Sequence, residues 1–190
     1  FNHFLTSYMP DPNIGSKIHF QNMVEQSILA EKLGYKTVSI PEHHLINLLM
    51  MPSPLQMAVK IASLTKNISI STSVAVLPLH DMRTYAGEVS TADILTDGRL
   101  VLGVARGAFP WEMERLGTPI EHSKEKFIES LEVLQKLLAE EEVSFKGKYY
   151  NFDTLTIMPR PITQPVPIMI AAMDPKSIKS AASRGFHVQS

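Results

Sequence analysis

The stretch "SIPEHHLI", residues 39–46, ends an apolar run with one glutamate and two histidines, Glu42, His43 and His44. At the carboxyl end of a barrel strand such groups do acid–base chemistry, and an imidazole titrates near neutrality. A structural histidine closing a buried strand accounts for the same residues, and the stretch alone does not separate the two. A metal site is the poorer reading. Adjacent strand residues point to opposite faces, so His43 and His44 should not meet on one ion without a bend. Nor is the spacing H-E-x-x-H, which puts two histidines on one helical face. We therefore expect no metal.

Three further stretches carry polar groups at the ends of apolar runs. In "GVARGAF" (103–109), Arg106 lies between Gly103 and Gly107. Glycines let backbone approach a ligand closely, and a guanidinium meets an anion well. An arginine paired with a carboxylate at a strand end is the duller alternative. In "IAAMDPKS" (170–177), Asp174 followed by Pro175 has the form of a capped helix start. Its free N–H groups, with Ser177, could hold a phosphate, although an ordinary capped helix explains the pair equally well. Together, Arg106 and this helix start could grip one phosphate. In "STSVAVLPLHD" (71–81), Ser71, Thr72 and Ser73 are small enough for a planar ring to lie against the strand, or for a tightly packed barrel layer. His80 and Asp81 have the character of a loop and a helix cap.

These groups need elements to hold them. Strands are expected at 1–8, 36–41, 68–78, 99–106, 166–172 and 186–190, from short β-branched apolar runs. Helices are expected near 19–33, 54–65, 81–95, 122–141 and 174–184. In the fourth of these, Phe127, Leu131, Leu134 and Leu138 share one face, with Glu125, Glu129, Glu132 and Lys136 off it. "RLVLGVA" and "VPIMIAA" are near-continuously apolar, as strands covered on both faces are. The alternation predicts an α/β fold with a parallel sheet. The first four strand candidates begin at residues 1, 36, 68 and 99, the repeat of a (β/α)8 barrel. A segment with hairpin and turn character, 141–167, delays the fifth. A doubly wound nucleotide fold usually carries a glycine fingerprint after its first strand, and "SYMPDPNIGSK" has none. A complete barrel needs about 250 residues. We therefore expect residues 1–190 to form one domain, an incomplete (β/α)8 barrel of five to six strands truncated at its C-terminus. Because the chain opens on Phe1, a few residues are expected to be missing upstream.

Composition narrows the partners. A hydrophobic share of 44% and a charged share of 19% suit a soluble globular domain. The formal charge of -1, without a basic run, points away from nucleic acid. Apolar runs are too short to span a bilayer. The absence of cysteine excludes disulfides and fits a reducing compartment, so a cytoplasmic location is expected.

Taken as a set, "IPEHHL", "TSVAVLPLHDMRTYAGEVSTADILTDGRLVLGVARGAF", "YYNFDTLTIMPRPITQPVPIMIAAMDPKS" and "AASRGF" resemble the bacterial luciferase-like flavin monooxygenases, in matching order from Phe1 to Ser190. "RGAFPWEMERLG" and "PRPITQPVPI" resemble the FMN-using branch more than the deazaflavin-using one. The resemblance implies a (β/α)8 barrel that binds reduced FMN from a flavin reductase and uses molecular oxygen. A small organic substrate is then oxygenated through a C4a-(hydro)peroxyflavin. It also implies a homodimer. By position it makes His43 the active-site histidine, and Arg106 and Ser177 the ligands of the flavin phosphate. Ser73 and Val74 become the pair whose backbone lies under the flavin ring, joined by a cis peptide in luciferase itself. Departures matter too: luciferase has a reactive cysteine where this chain has Ala105, and an acidic residue where it has Met173, so light emission is not implied. The family's last third has no counterpart here. A deazaflavin-dependent hydride transfer on the same barrel, or a non-catalytic flavin-binding fragment, are the alternatives.

Overall fold

A computed structural model describes residues 1–47 and 49–190. From the N-terminus come β1 (Asn2–Phe4), α1 (Ser16–Lys32), β2 (Thr37–Ile40), α2 (Pro54–Ala62), β3 (Ser69–Thr72) and β4 (Ala75–Val76). Then follow α3 (Met82–Leu95), β5 (Leu100–Ala105), α4 (Pro110–Arg115) and α5 (Ile120–Ala139). The chain continues through β6 (Val143–Lys146), β7 (Asn151–Leu155), β8 (Ile168–Ala171), α6 (Pro175–Ser183) and β9 (His187–Gln189). The main sheet is parallel, in the order β1-β2-β3-β5-β8-β9, with β4 pairing onto β5 beyond the end of β3. Each successive strand adds to one side, as in a barrel, and among the described residues β1 and β9 do not meet. The result is a curled parallel sheet of an incomplete α/β barrel.

Strand alternation divides the sheet into two chemically different faces. Val38, Ile40, Ile70, Leu100, Leu102 and Val104 are fully buried beneath the helices. The opposite face carries Ser39, Ser71, Gly103 and Ala105, small residues that leave room inside the curl. Ser39 donates to Asn2 Oδ1 at 3.0 Å, and its Oγ lies 2.7 Å from Ser71 Oγ. These links tie the first three strands together at the inner wall.

Three local features depart from the sequence reading. The expected strand 68–78 is split: β3 ends at Thr72, the Ser73–Val74 peptide is cis, and β4 resumes at Ala75. Gly103 has a packing reason of its own, since a Cβ there would lie 2.0 Å from the Thr72 carbonyl oxygen. Gly107 has φ 93°, a left-handed conformation that favours glycine, and a Cβ there would lie 2.4 Å from Met113 Sδ. The short helix α4 was not anticipated at all.

The segment after α5 is the expected hairpin, β6 antiparallel to β7. It is anchored by Glu129 Oε1, which accepts the amides of Tyr149 and Tyr150 at 2.8 and 2.7 Å. Tyr150 in turn donates its hydroxyl to the His80 carbonyl at 3.1 Å, and Thr118 donates to the Pro78 carbonyl at 3.0 Å. Both bonds hold the loop before α3 against the rim of the sheet. Among the described residues, no helix is long and apolar enough to cross a membrane.

Candidate active site

Glu42 follows β2 at its carboxyl end and is 2% exposed. Its Oε1 lies 2.6 Å from His44 Nε2 and 2.7 Å from His80 Nε2, while Oε2 accepts the Val76 N–H at 2.8 Å. His80 stacks on Tyr85, with ring centroids 4.3 Å apart. Burial alone would raise the Glu42 carboxyl, but hydrogen bonds from His44 and His80 outweigh it and hold the group down at about 2. The same contact raises His44, its hydrogen bond to Glu42 prevailing over partial burial. Burial and the charges of Glu42 and Glu88 push the Tyr85 phenol well above its usual range.

The ligand-type atoms of Glu42, His44 and His80 lie within 4.8 Å of one another. Sequence reasoning tested His43 with His44, which indeed diverge, and missed the meeting of His44 with His80. The two facing imidazole nitrogens point at one carboxylate oxygen, so the cluster satisfies itself through hydrogen bonds.

This cluster gives a pH-dependent contribution to stability. Glu42 is lowered from 4.5, so its share is full above 4.5 and is lost as pH falls towards 2. His44 is raised from 6.5, so its share is full below 6.5 and is lost as pH rises through the raised value. Both are therefore present between 4.5 and 6.5. Replacing Glu42 with alanine orphans two imidazoles and the Val76 N–H, at a cost of roughly 3–5 kcal/mol. Urea unfolding of wild type and Glu42→Ala should show a larger deficit at about pH 5.5 than at about pH 8.5. Equal deficits would mean that His44 gains nothing from the carboxylate charge.

His43 sits apart from that cluster. Its N–H donates to the Met51 carbonyl at 2.9 Å, and its ring meets the edge of Phe109 with centroids 5.2 Å apart. Leu45, at φ 57°, turns the chain immediately after the two histidines. Nδ1 of His43 is buried and makes no hydrogen bond. It lies 3.8 Å from Oε2 of Glu112, a carboxylate on α4 that is 1% exposed. The other oxygen of Glu112 accepts the His44 N–H.

The remaining candidates stand on the same rim. Ser73 and Val74 follow β3, Arg106 follows β5, and Ser177 is in the first turn of α6 after β8. The Ser73 hydroxyl donates to Gln189 Oε1 at 3.0 Å and accepts from Gln189 Nε2 at 2.8 Å, linking β3 to β9. Among the described residues Arg106 forms no side-chain hydrogen bond or ion pair, and it is exposed, so the strand-end carboxylate partner is not found. Asp174 does cap α6, accepting the Ser177 N–H at 3.0 Å. The Ser177 hydroxyl donates to the same carboxylate at 2.6 Å, a bond that a phosphate would have to replace.

The family model described as luciferase-like monooxygenase matches residues 2–188. The oxygenase component of the flavin-dependent trigonelline monooxygenase of Acinetobacter baylyi is 31% identical over 173 residues, 90% of this chain and 48% of the relative. An F420-dependent glucose-6-phosphate dehydrogenase of Amycolatopsis mediterranei is 31% identical over 179 residues, 87% of this chain and 51% of the relative. The crystal structure of the monooxygenase RslO1 from Streptomyces bottropensis superposes with a TM-score of 0.92 at 26% identity, covering 99% of this chain and 58% of that one. The chain thus spans about half the length of the curated relatives it matches.

Proposed function

Since the chain belongs to the luciferase-like monooxygenase family, we propose that it carries the reactive site of a flavin-dependent monooxygenase using reduced FMN and molecular oxygen. The substrate is a small organic molecule, and a separate flavin reductase supplies the reduced cofactor, in a cytoplasmic homodimer. The similarity to the oxygenase component of the trigonelline monooxygenase supports a separate reductase.

The observation that carries this reading is Arg106, an exposed guanidinium at the rim that forms no hydrogen bond or ion pair among the described residues. Its neighbours fit a flavin. The small inner-wall residues leave space for a ring, and Ser73 with Val74 presents backbone to it. Arg106 takes the phosphate, joined by Ser177 once its hydroxyl turns from Asp174. Arginine is suited to this because its planar fork binds phosphate through paired N–H groups. When bound, the reduced flavin supplies the electrons that activate oxygen. The chain's own residues orient it and shield it from water, while His43 handles the proton of the substrate.

Arg106→Ala is expected to weaken FMN binding by roughly 10- to 100-fold, the worth of one charge-assisted contact. Riboflavin, which lacks the phosphate, should lose little. Flavin fluorescence titration of both ligands against the intact protein checks this, and equal losses would assign Arg106 to the fold. The F420-dependent relative supports a second reading, hydride transfer to or from a deazaflavin on the same rim. Turnover without oxygen would select it.

A further inference from the structure

Glu112 is a buried carboxylate that the functional reading leaves unused. It lies on α4, six residues after Arg106, and is 1% exposed. One oxygen accepts the His44 N–H, which fastens α4 beneath the loop after β2. Among the described residues the other oxygen accepts no hydrogen bond. Facing it at 3.8 Å is Nδ1 of His43, itself buried and without a partner. A buried ring nitrogen is costly to leave unpaired, and a carboxylate is the nearest acceptor for its proton. A movement of about 1 Å brings them to the N–H···O⁻ distance of a charge-assisted bond.

The edge of Phe109 closes one side of the imidazole, limiting how the ring can turn. Which nitrogen of a neutral histidine carries the proton is set by the bond the other makes. We propose that Glu112 is the positioning residue for His43. It accepts the Nδ1–H and thereby leaves Nε2 bare as the proton-accepting atom. Neutral imidazole free in water prefers the opposite tautomer, with the proton on Nε2, so the contact has to impose this state. The pair also ties the acid–base group to the phosphate rim, because α4 begins four residues after Arg106. The catalytic consequence rests on the reading of His43 given above, whereas the tautomer does not.

Long-range 1H–15N NMR of the histidine side chains in the intact protein, at a pH where the imidazoles are neutral, reads the tautomer without turnover. The His43 signals are assigned by their loss in His43→Gln. The expected pattern has a protonated Nδ1 and a bare Nε2. In Glu112→Gln, which keeps an acceptor for the His44 N–H, the population should move towards the Nε2–H form. The turnover number should fall about tenfold with flavin affinity unchanged. A wild-type His43 protonated on Nε2 overturns the proposal, as does a His43 signal that Glu112→Gln leaves unchanged. If Glu112→Gln fails to fold, the wild-type spectrum still decides. A correct tautomer alongside a fully active His43→Ala would support the contact and sink the catalytic reading instead.

Discussion

His43→Ala is expected to slow oxygenation of substrate by roughly 10²- to 10⁴-fold, the usual worth of a general acid or base, with flavin affinity nearly intact. The turnover number and the ratio kcat/KM should fall together, because the lost interaction is made in the transition state. His44→Ala should behave differently. His44 is committed to Glu42 at 2.6 Å, so its removal loosens a buried cluster and lowers stability first. Among the described residues His43 makes no such hydrogen bond, and its buried Nδ1 lies 3.8 Å from Glu112 Oε2. The decisive comparison is rate against unfolding midpoint for the two variants. Should His44→Ala cost more turnover while unfolding like wild type, the chemical role belongs to His44 and the proposed assignment fails.

The contrast between the two histidines shows how far sequence reaches. A near-continuous apolar run placed β5, because "RLVLGVA" has the character of a strand covered on both faces. Helical period placed α5, where Leu131, Leu134 and Leu138 are buried along one face while Glu125 and Glu132 are exposed. Adjacent residues on an extended chain diverge, and so His43 and His44 were rightly separated. What they diverge towards was not legible. His80 reaches Glu42 from 38 positions away, and only the strand pairing brings it there. Glu112 was hidden for another reason. Helix α4 has six residues, too few to display a helical period, and it begins at a proline. The buried Glu112 therefore reads, in "FPWEMER", as one more surface charge. The split of β3 from β4 was masked because the apolar pattern continues across the Ser73–Val74 peptide. Gly103 and Gly107 also have a packing reason that the sequence does not display: the carbonyl of Thr72 and the sulfur of Met113 leave no room for a Cβ.

The polypeptide of residues 1–190, expressed by itself, is expected to associate and not to behave as a monodisperse monomer. Its sheet has two ends, β1 and β9, each paired on one side only among the described residues. A half-paired strand presents free N–H and C=O groups to any other chain. In a closed barrel the inward side chains fill a packed interior. Here Phe4 is half exposed at one edge and Met173 92% exposed near the other. The helix-covered face, by contrast, is well buried, so the domain should hold its secondary structure while its strand edges stay unpaired. Exposed apolar side chains beside unpaired strand edges add to the tendency to associate. A dimer made through the outer helices would leave both edges and the inner wall uncovered, so it would not prevent further growth. Light scattering on a size-exclusion column should therefore show species larger than a monomer that bind a hydrophobic dye. Adding flavin should reduce dye binding without restoring a monomer, since a ring on the inner wall covers apolar surface but pairs no strand edge. A monomer that unfolds cooperatively and ignores the dye would mean that the edges are protected in solution, and the open half-barrel would then be the wrong description of the isolated chain.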